Sequence, residues 1–249
     1  MEENIEERLE NPLMENQEHD LHHNIKGRPL TREAALLSSL YLGPVQYYSK
    51  LYACDAVVED RGEHFEKQSF RNRMCIAAAD GPLELTIPIV RDGRMRQPMR
   101  EVRISDHGRW QHLHWTALVS AYENSPYFEY YADDFRPFYE KPFLYLVDFN
   151  AGLQQTVCDL LQISPKREVA DHYIDIVPPD CVDYRALIHP KRSWTEDPHF
   201  RPAPYYQVFQ DRSGFLPNLS IVDLLFTMGP EARLILRASF CADKASQRT

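Results

Sequence analysis

The sequence predicts an α/β fold: a mixed, largely parallel sheet with helices on both sides, a β-hairpin near 74–90 and an irregular C-terminal extension. Three observations carry this expectation. Residues 35–59 read apolar run, short helix, apolar run, which is the order of a βαβ unit with parallel strands. Two apolar runs then flank Asp80-Gly81-Pro82, the mark of an antiparallel hairpin. Helical periodicity dominates from Trp110 to Ile163, after which proline, aspartate, tyrosine and histidine accumulate.

In chain order, residues 35–42 (ALLSSLYL) predict a buried strand. Residues 44–52 predict a helix opened by Gly43-Pro44, since proline suits the first helical position. Residues 56–59 (AVVE) predict the second strand. The hairpin arms are residues 75–79 and 83–90. In residues 99–105 (MREVRIS), alternation sets Val102 and Ile104 on one face of a half-buried strand. Residues 110–122 predict a helix with Leu113, Ala117, Leu118 and Ala121 as its apolar stripe and His114 at the border. A second helix is expected over 127–139, interrupted by Pro137, and a long amphipathic one over 143–163. Residues 173–177 suggest one more strand, and PYYQVFQ (204–210) alternates. Residues 219–226 predict a buried helix capped by Asn218 or Ser220 and ended by Gly229-Pro230. The organisation expected is an acidic disordered tail (1–33), an α/β core (34–165) and a Pro/Tyr-rich extension with a terminal helix packed on that core (166–249).

The net charge of −9 is concentrated at the start. Residues 1–20 hold eight acids against Arg8, leaving 29 acids and 27 bases in the remainder. A nearly neutral body argues against nucleic-acid binding driven by phosphate neutralisation. No apolar run reaches the roughly eighteen residues needed to span a bilayer. The polar, acidic start is the opposite of a signal peptide. Five scattered cysteines without a Cys-x-x-Cys pair predict reduced thiols, no zinc site and a cytoplasmic setting. His22-His23 in the polar tail lacks the four-ligand geometry of a structural metal site.

Candidate chemistry gathers at residues 64–73, where Lys67, Gln68, Arg71, Asn72 and Arg73 form a dense set of donors running into the hairpin. Lysine supplies a point charge and arginine a planar fork suited to carboxylate or phosphate. No carboxylate lies within residues 67–79, with Glu63 and Glu66 the nearest upstream. Two other readings stand beside ligand binding: solvated surface charges, or arginines that neutralise a buried acid such as Asp148. His114 is the candidate general base, because imidazole titrates near neutrality, and Tyr122 a candidate donor to substrate. Either side chain serves equally well as a hydrogen-bonded core residue. Cys75 reads as core packing unless the arginines depress its pKa. Glycine-rich phosphate loops, Gly-x-Ser-x-Gly, His-Glu-x-x-His and the dinucleotide fingerprint are all missing. No cofactor is implied.

The order Tyr-Tyr-x-Lys-Leu (47–51), Phe-x-Lys-x-x-x-x-Asn-Arg (65–73), Leu-x-Ile-Pro (85–88), Trp-x-x-x-His-Trp (110–115), Ala-Tyr-x-x-x-Pro-Tyr-Phe (121–128) and Asp-x-Asn (148–150) resembles the WbqC-like proteins over about residues 35–165. The ending PYYQVF…GFLPNLSIVDLLF…GPE is similar to that of the Bacteroidetes branch. The family's opening His-Gln-Pro-like element is missing here, and Met74, not cysteine, follows Asn72-Arg73. The resemblance implies a place in O-antigen or surface-polysaccharide (lipopolysaccharide) biosynthesis and assigns no catalytic residue. The function expected from residues and resemblance together is a transferase that acylates or aminoacylates an amino sugar, with an anionic nucleotide sugar or acyl donor as ligand. The alternative is a non-catalytic ligand-binding or scaffold protein that meets a protein partner through residues 178–217.

Overall fold

The structure is a computed structural model that describes residues 34–90 and 92–241. The acidic segment 1–33 lies outside the described residues. Strand β1 (Ala34–Ser38), helix α1 (Val45–Ala53) and strand β2 (Val57–Asp60) form the expected βαβ unit, with Leu36 opposite Val58 in parallel register. Gly43-Pro44 sets the turn into α1, and Pro44 stands at the cap position in extended conformation. Nearly every residue of α1 is buried, because helix α7 (Ala232–Ser239) packs on it from the C-terminal region.

Two short strands, β5 (Arg167–Ala170) and β6 (Cys181–Asp183), complete a four-stranded sheet in the order β5-β2-β1-β6, all parallel. The sheet thus takes strands from both sides of residue 165, and residues 173–177, read as a strand, are irregular. Four- and three-residue strands are too short to show a period.

Strands β3 (Arg73–Ala78) and β4 (Gly81–Thr86) form the antiparallel hairpin as a separate two-stranded sheet, with Ile76 opposite Leu83. Gly81 takes φ +116 at the turn, a conformation that a side chain would oppose. At the open end Asn72 and Ile87 close the ladder: Ile87 N–H donates to Asn72 O, and the Asn72 side chain donates to Ile87 O at 2.8 Å. Residues 99–105 form no strand. Met99–Glu101 is a 3-10 turn, followed by single bridges from Arg103 to Tyr145 and from Ile104 to Ile89. The alternation there reflects a buried Val102 without a ladder to extend it.

Helix α2 (Trp110–Tyr122) has the expected bounds, but its inward face is Trp110, His114, Leu118, Ala121 and Tyr122, while Leu113 is 58% exposed. The rings outweigh the aliphatic stripe, since aromatic side chains bury the most area. Helix α3 (Phe128–Glu140) accommodates Pro137, and α4 (Leu146–Leu160) turns Phe149, Leu153 and Val157 inward together with Asn150 and Gln154. The remaining helices are α5 (Gln210–Ser213) and α6 (Ile221–Met228). Ser220 stands at the start of α6 but does not cap it, because its hydroxyl donates to Leu42 O at 2.6 Å. Asn218 instead pairs with Gln46, accepting from its backbone N–H and donating to its side chain. Among the described residues no helix is long and apolar enough to cross a membrane.

Candidate functional site

The expected donor cluster divides. Lys67 and Gln68 are exposed on the loop after β2, with Gln68 in left-handed conformation at φ +58. Arg71 is buried, and its fork grips Glu63: Nε reaches Oε1 at 2.9 Å and Nη2 reaches Oε2 at 2.6 Å. The acid that neutralises it is therefore Glu63, eight residues upstream, whereas Asp148 is exposed. Arg73 crosses the hairpin to Glu84 at 2.5 Å, and Asn72 is committed to the hairpin base.

His114 and Tyr122 share one face of α2, and each is held in a buried cluster. The His114 ring donates to the Thr86 backbone carbonyl and accepts at Nδ1 from the Tyr41 hydroxyl at 2.9 Å. Tyr41 in turn accepts from the Tyr139 hydroxyl at 3.0 Å. Burial drives the His114 pKa down to about 4, against the opposite pull of the Thr86 contact. The ring is thus neutral at pH 7, with both nitrogens engaged and closed in by Trp110 and Tyr41. The Tyr122 hydroxyl donates to Asp223 at 2.8 Å and accepts from Ala77 N–H at 3.3 Å. Tyr205 and Gln207 donate to the same carboxylate. Burial raises the pKa of Tyr122 well above its ordinary value, and the charge of Asp223 raises it further. Burial likewise pushes the Cys75 thiol up to about 11, which removes the thiolate that a nucleophile needs.

A different constellation lies at the carboxyl ends of the parallel strands. The chain leaves β1 towards β2 and β5 and returns to its other side as β6. Such a reversal of strand order is where open parallel sheets bind ligands. A polar network spans this edge. Asp183 and Asp60 both hold Arg185, at 2.7 and 2.5 Å. Asp60 also accepts from Glu63 N–H, and Glu63 accepts from Ser38 Oγ at 3.0 Å and from Arg71. Arg71 Nη1 then faces Glu66 at 3.5 Å, and Glu66 faces His189 Nε2 at 3.4 Å. One wall is the segment after β5, clamped down by Ile174 N–H on Asp60 and by Arg61 N–H on Ala170 O. On that wall Tyr173 lies under the Arg185 guanidinium and parallel to His64.

His189 is the residue that the sequence reading missed. Its Nδ1 accepts from Lys191 N–H at 3.1 Å, which places the proton of the neutral ring on Nε2. That Nε2 is buried without a hydrogen-bond partner. Burial lowers the pKa of the ring, Glu66 pulls it up, and Arg71, Lys191 and Arg192 push it down. The arrangement holds one fixed N–H donor beside a cation, able to bind an anion or to steady negative charge developing on oxygen. The basic run Pro190-Lys191-Arg192 after His189 was the available signal, hidden in a segment without periodicity. Among the described residues, no group of three or more His, Cys, Asp or Glu side chains is placed to hold a metal ion.

The uncharacterized protein Rv1507c of Mycobacterium tuberculosis is 28% identical over 227 residues, covering 83% of this chain and 98% of that protein. No solved structure matches the chain. The model of the WbqC-like protein family matches residues 39–178, from the end of β1 through β5 and the clamped segment that walls the sheet edge. Over more than half its length, including β2, β5 and the loop that carries Glu63, Glu66 and Arg71, this chain belongs to the WbqC-like protein family.

Proposed function

We propose that the protein is a transferase of surface-polysaccharide biosynthesis that acylates or aminoacylates an amino sugar and binds its anionic ligand at the carboxyl edge of the parallel sheet. The observation supporting this reading is the polar network that converges there on Arg71, Glu66 and His189. Lys67 and Gln68, exposed on the same loop, are ligand contacts in this reading, and His189 Nε2–H is the donor to oxygen. His114, Tyr122, Asn72 and Arg73 hold the scaffold in place. A thermal-shift screen of nucleotide sugars, amino acids and acyl thioesters tests it. A ligand at 100 times its Kd adds about 2.7 kcal/mol of stability. Loss of that shift in folded Lys67→Ala and His189→Asn variants supports the assignment, and the absence of a shift with every ligand sinks it.

The non-catalytic reading rests on the extension. Of the three tyrosines in 178–217, Tyr184 and Tyr205 are buried and Tyr206 is 48% exposed. Tyr206 is thus the one tyrosine of this stretch that offers its ring to a protein partner.

A further inference from the structure

We propose that Arg71 and His189 form an oxyanion-binding site that the chain's own Glu66 carboxylate occupies as a stand-in for the ligand. The inference rests on the sheet edge being the ligand site and names the group that the edge recognises. Arg71 uses two of its nitrogens on Glu63 at 2.9 and 2.6 Å. Its third, Nη1, reaches Glu66 Oε2 only at 3.5 Å. His189 Nε2 reaches the other oxygen, Oε1, at 3.4 Å and makes no hydrogen bond. One carboxylate therefore spans two donors, one oxygen to each, at distances longer than a charged hydrogen bond prefers.

Exposure separates the permanent parts from the replaceable one. The side chains of Arg71 and His189 are 7% and 8% exposed, whereas that of Glu66 is 56% exposed. Arg71 keeps its bidentate partner Glu63 when Glu66 swings away, so the fork stays in position without it. His189 keeps its tautomer, because Lys191 N–H holds Nδ1. A buried donor left without an acceptor is unfavourable, and an incoming carboxylate or phosphoryl group supplies that acceptor. Lys191 and Arg192 act on the His189 ring as positive charges, and Lys67 adjoins Glu66 in the loop. Removing the Glu66 charge leaves this surrounding field favourable to an anion. The internal carboxylate thus competes with ligand and lowers its apparent affinity by the fraction of time it occupies the site.

The test is calorimetric titration of the full chain with inorganic phosphate and, separately, acetate. Glu66→Ala is expected to bind one of them at least tenfold more tightly than wild type does. The anion that gains identifies the group as phosphoryl or carboxylate. Adding His189→Asn to Glu66→Ala is expected to remove the gain. The inference is overturned if Glu66→Ala binds neither anion more tightly, or if the gain survives in the double variant. Glu66 is exposed, so the first arm decides even where the double variant fails to fold. The screen described above separates this from the broader reading. A nucleotide sugar or acyl thioester whose binding ignores Glu66 and His189 refutes the oxyanion site alone. An oxyanion gain without binding of any such ligand refutes the transferase alone.

Discussion

His114 offers a quantitative check on the division between scaffold and site. Its ring is buried, accepts from Tyr41, donates to Thr86, and has a pKa pushed down to about 4 from the ordinary 6.5. Between those values the unfolded chain binds a proton that the folded chain refuses. Stability is therefore full above pH 6.5 and falls as the pH drops towards 4, with the sign fixed by the unfolded state holding more protons. At 1.36 kcal/mol per pKa unit, the shift removes about 3 kcal/mol between pH 7 and pH 4. His114→Phe keeps a ring of similar size and cannot titrate. It carries a constant penalty for the Tyr41 hydroxyl and Thr86 carbonyl left behind, so the informative quantity is how its gap to wild type changes with pH. Urea denaturation at pH 7, 5.5 and 4, followed by circular dichroism, is expected to show that gap shrinking by about 3 kcal/mol. A gap independent of pH, or an NMR titration of the ring with a midpoint near 6.5, would refute the reasoning. It would also return His114 to the list of candidate bases.

Three further outcomes follow from the packing. Arg71→Ala leaves the Glu63 carboxylate buried without its partner and is expected to cost about 3–5 kcal/mol in urea denaturation, whereas exposed Lys67→Ala should stay within about 0.5 kcal/mol. Gly62→Ala would set a methyl group 2.1 Å from the His172 backbone. That forces the clamped wall of the site outward, and a loss of about 1–3 kcal/mol is expected, read as a lower thermal midpoint. Tyr122→Phe removes one of three donors from the buried Asp223 carboxylate, and a loss of about 1.5–3 kcal/mol is expected, with ligand binding at the sheet edge unchanged.

The local fold was readable wherever a period or a turn residue marked it. Gly43-Pro44 announced α1, Asp80-Gly81 the hairpin, and the helical spacing from Trp110 fixed both ends of α2. What stayed hidden was decided at long range. The inward face of α2 depends on Tyr41 and Thr86 meeting His114, with Tyr139 bonded behind Tyr41, and none of them is near it in sequence. β5 and β6 are strands only because β2 and β1 offer them edges. Arg71 was legible and Glu63 was named among the carboxylates near it, but the buried acid suggested for the arginines was the distant Asp148. His189 was invisible for a similar reason: its role comes from facing Glu66 across the sheet edge.

The position of β1 has a consequence for how the protein is made. Leu36 lies opposite Val58 on one side and Asp183 on the other. The first pairing can close as soon as the βαβ unit leaves the ribosome. The second waits until most of the chain has been translated, and such distant closures slow folding. Until then one edge of a wholly apolar strand core is bare, which exposes the nascent chain to aggregation. Arg71 and His189 lie on opposite sides of that delay. A ligand bridging them would bind the finished molecule and not the intermediate, drawing the last strand into place by mass action.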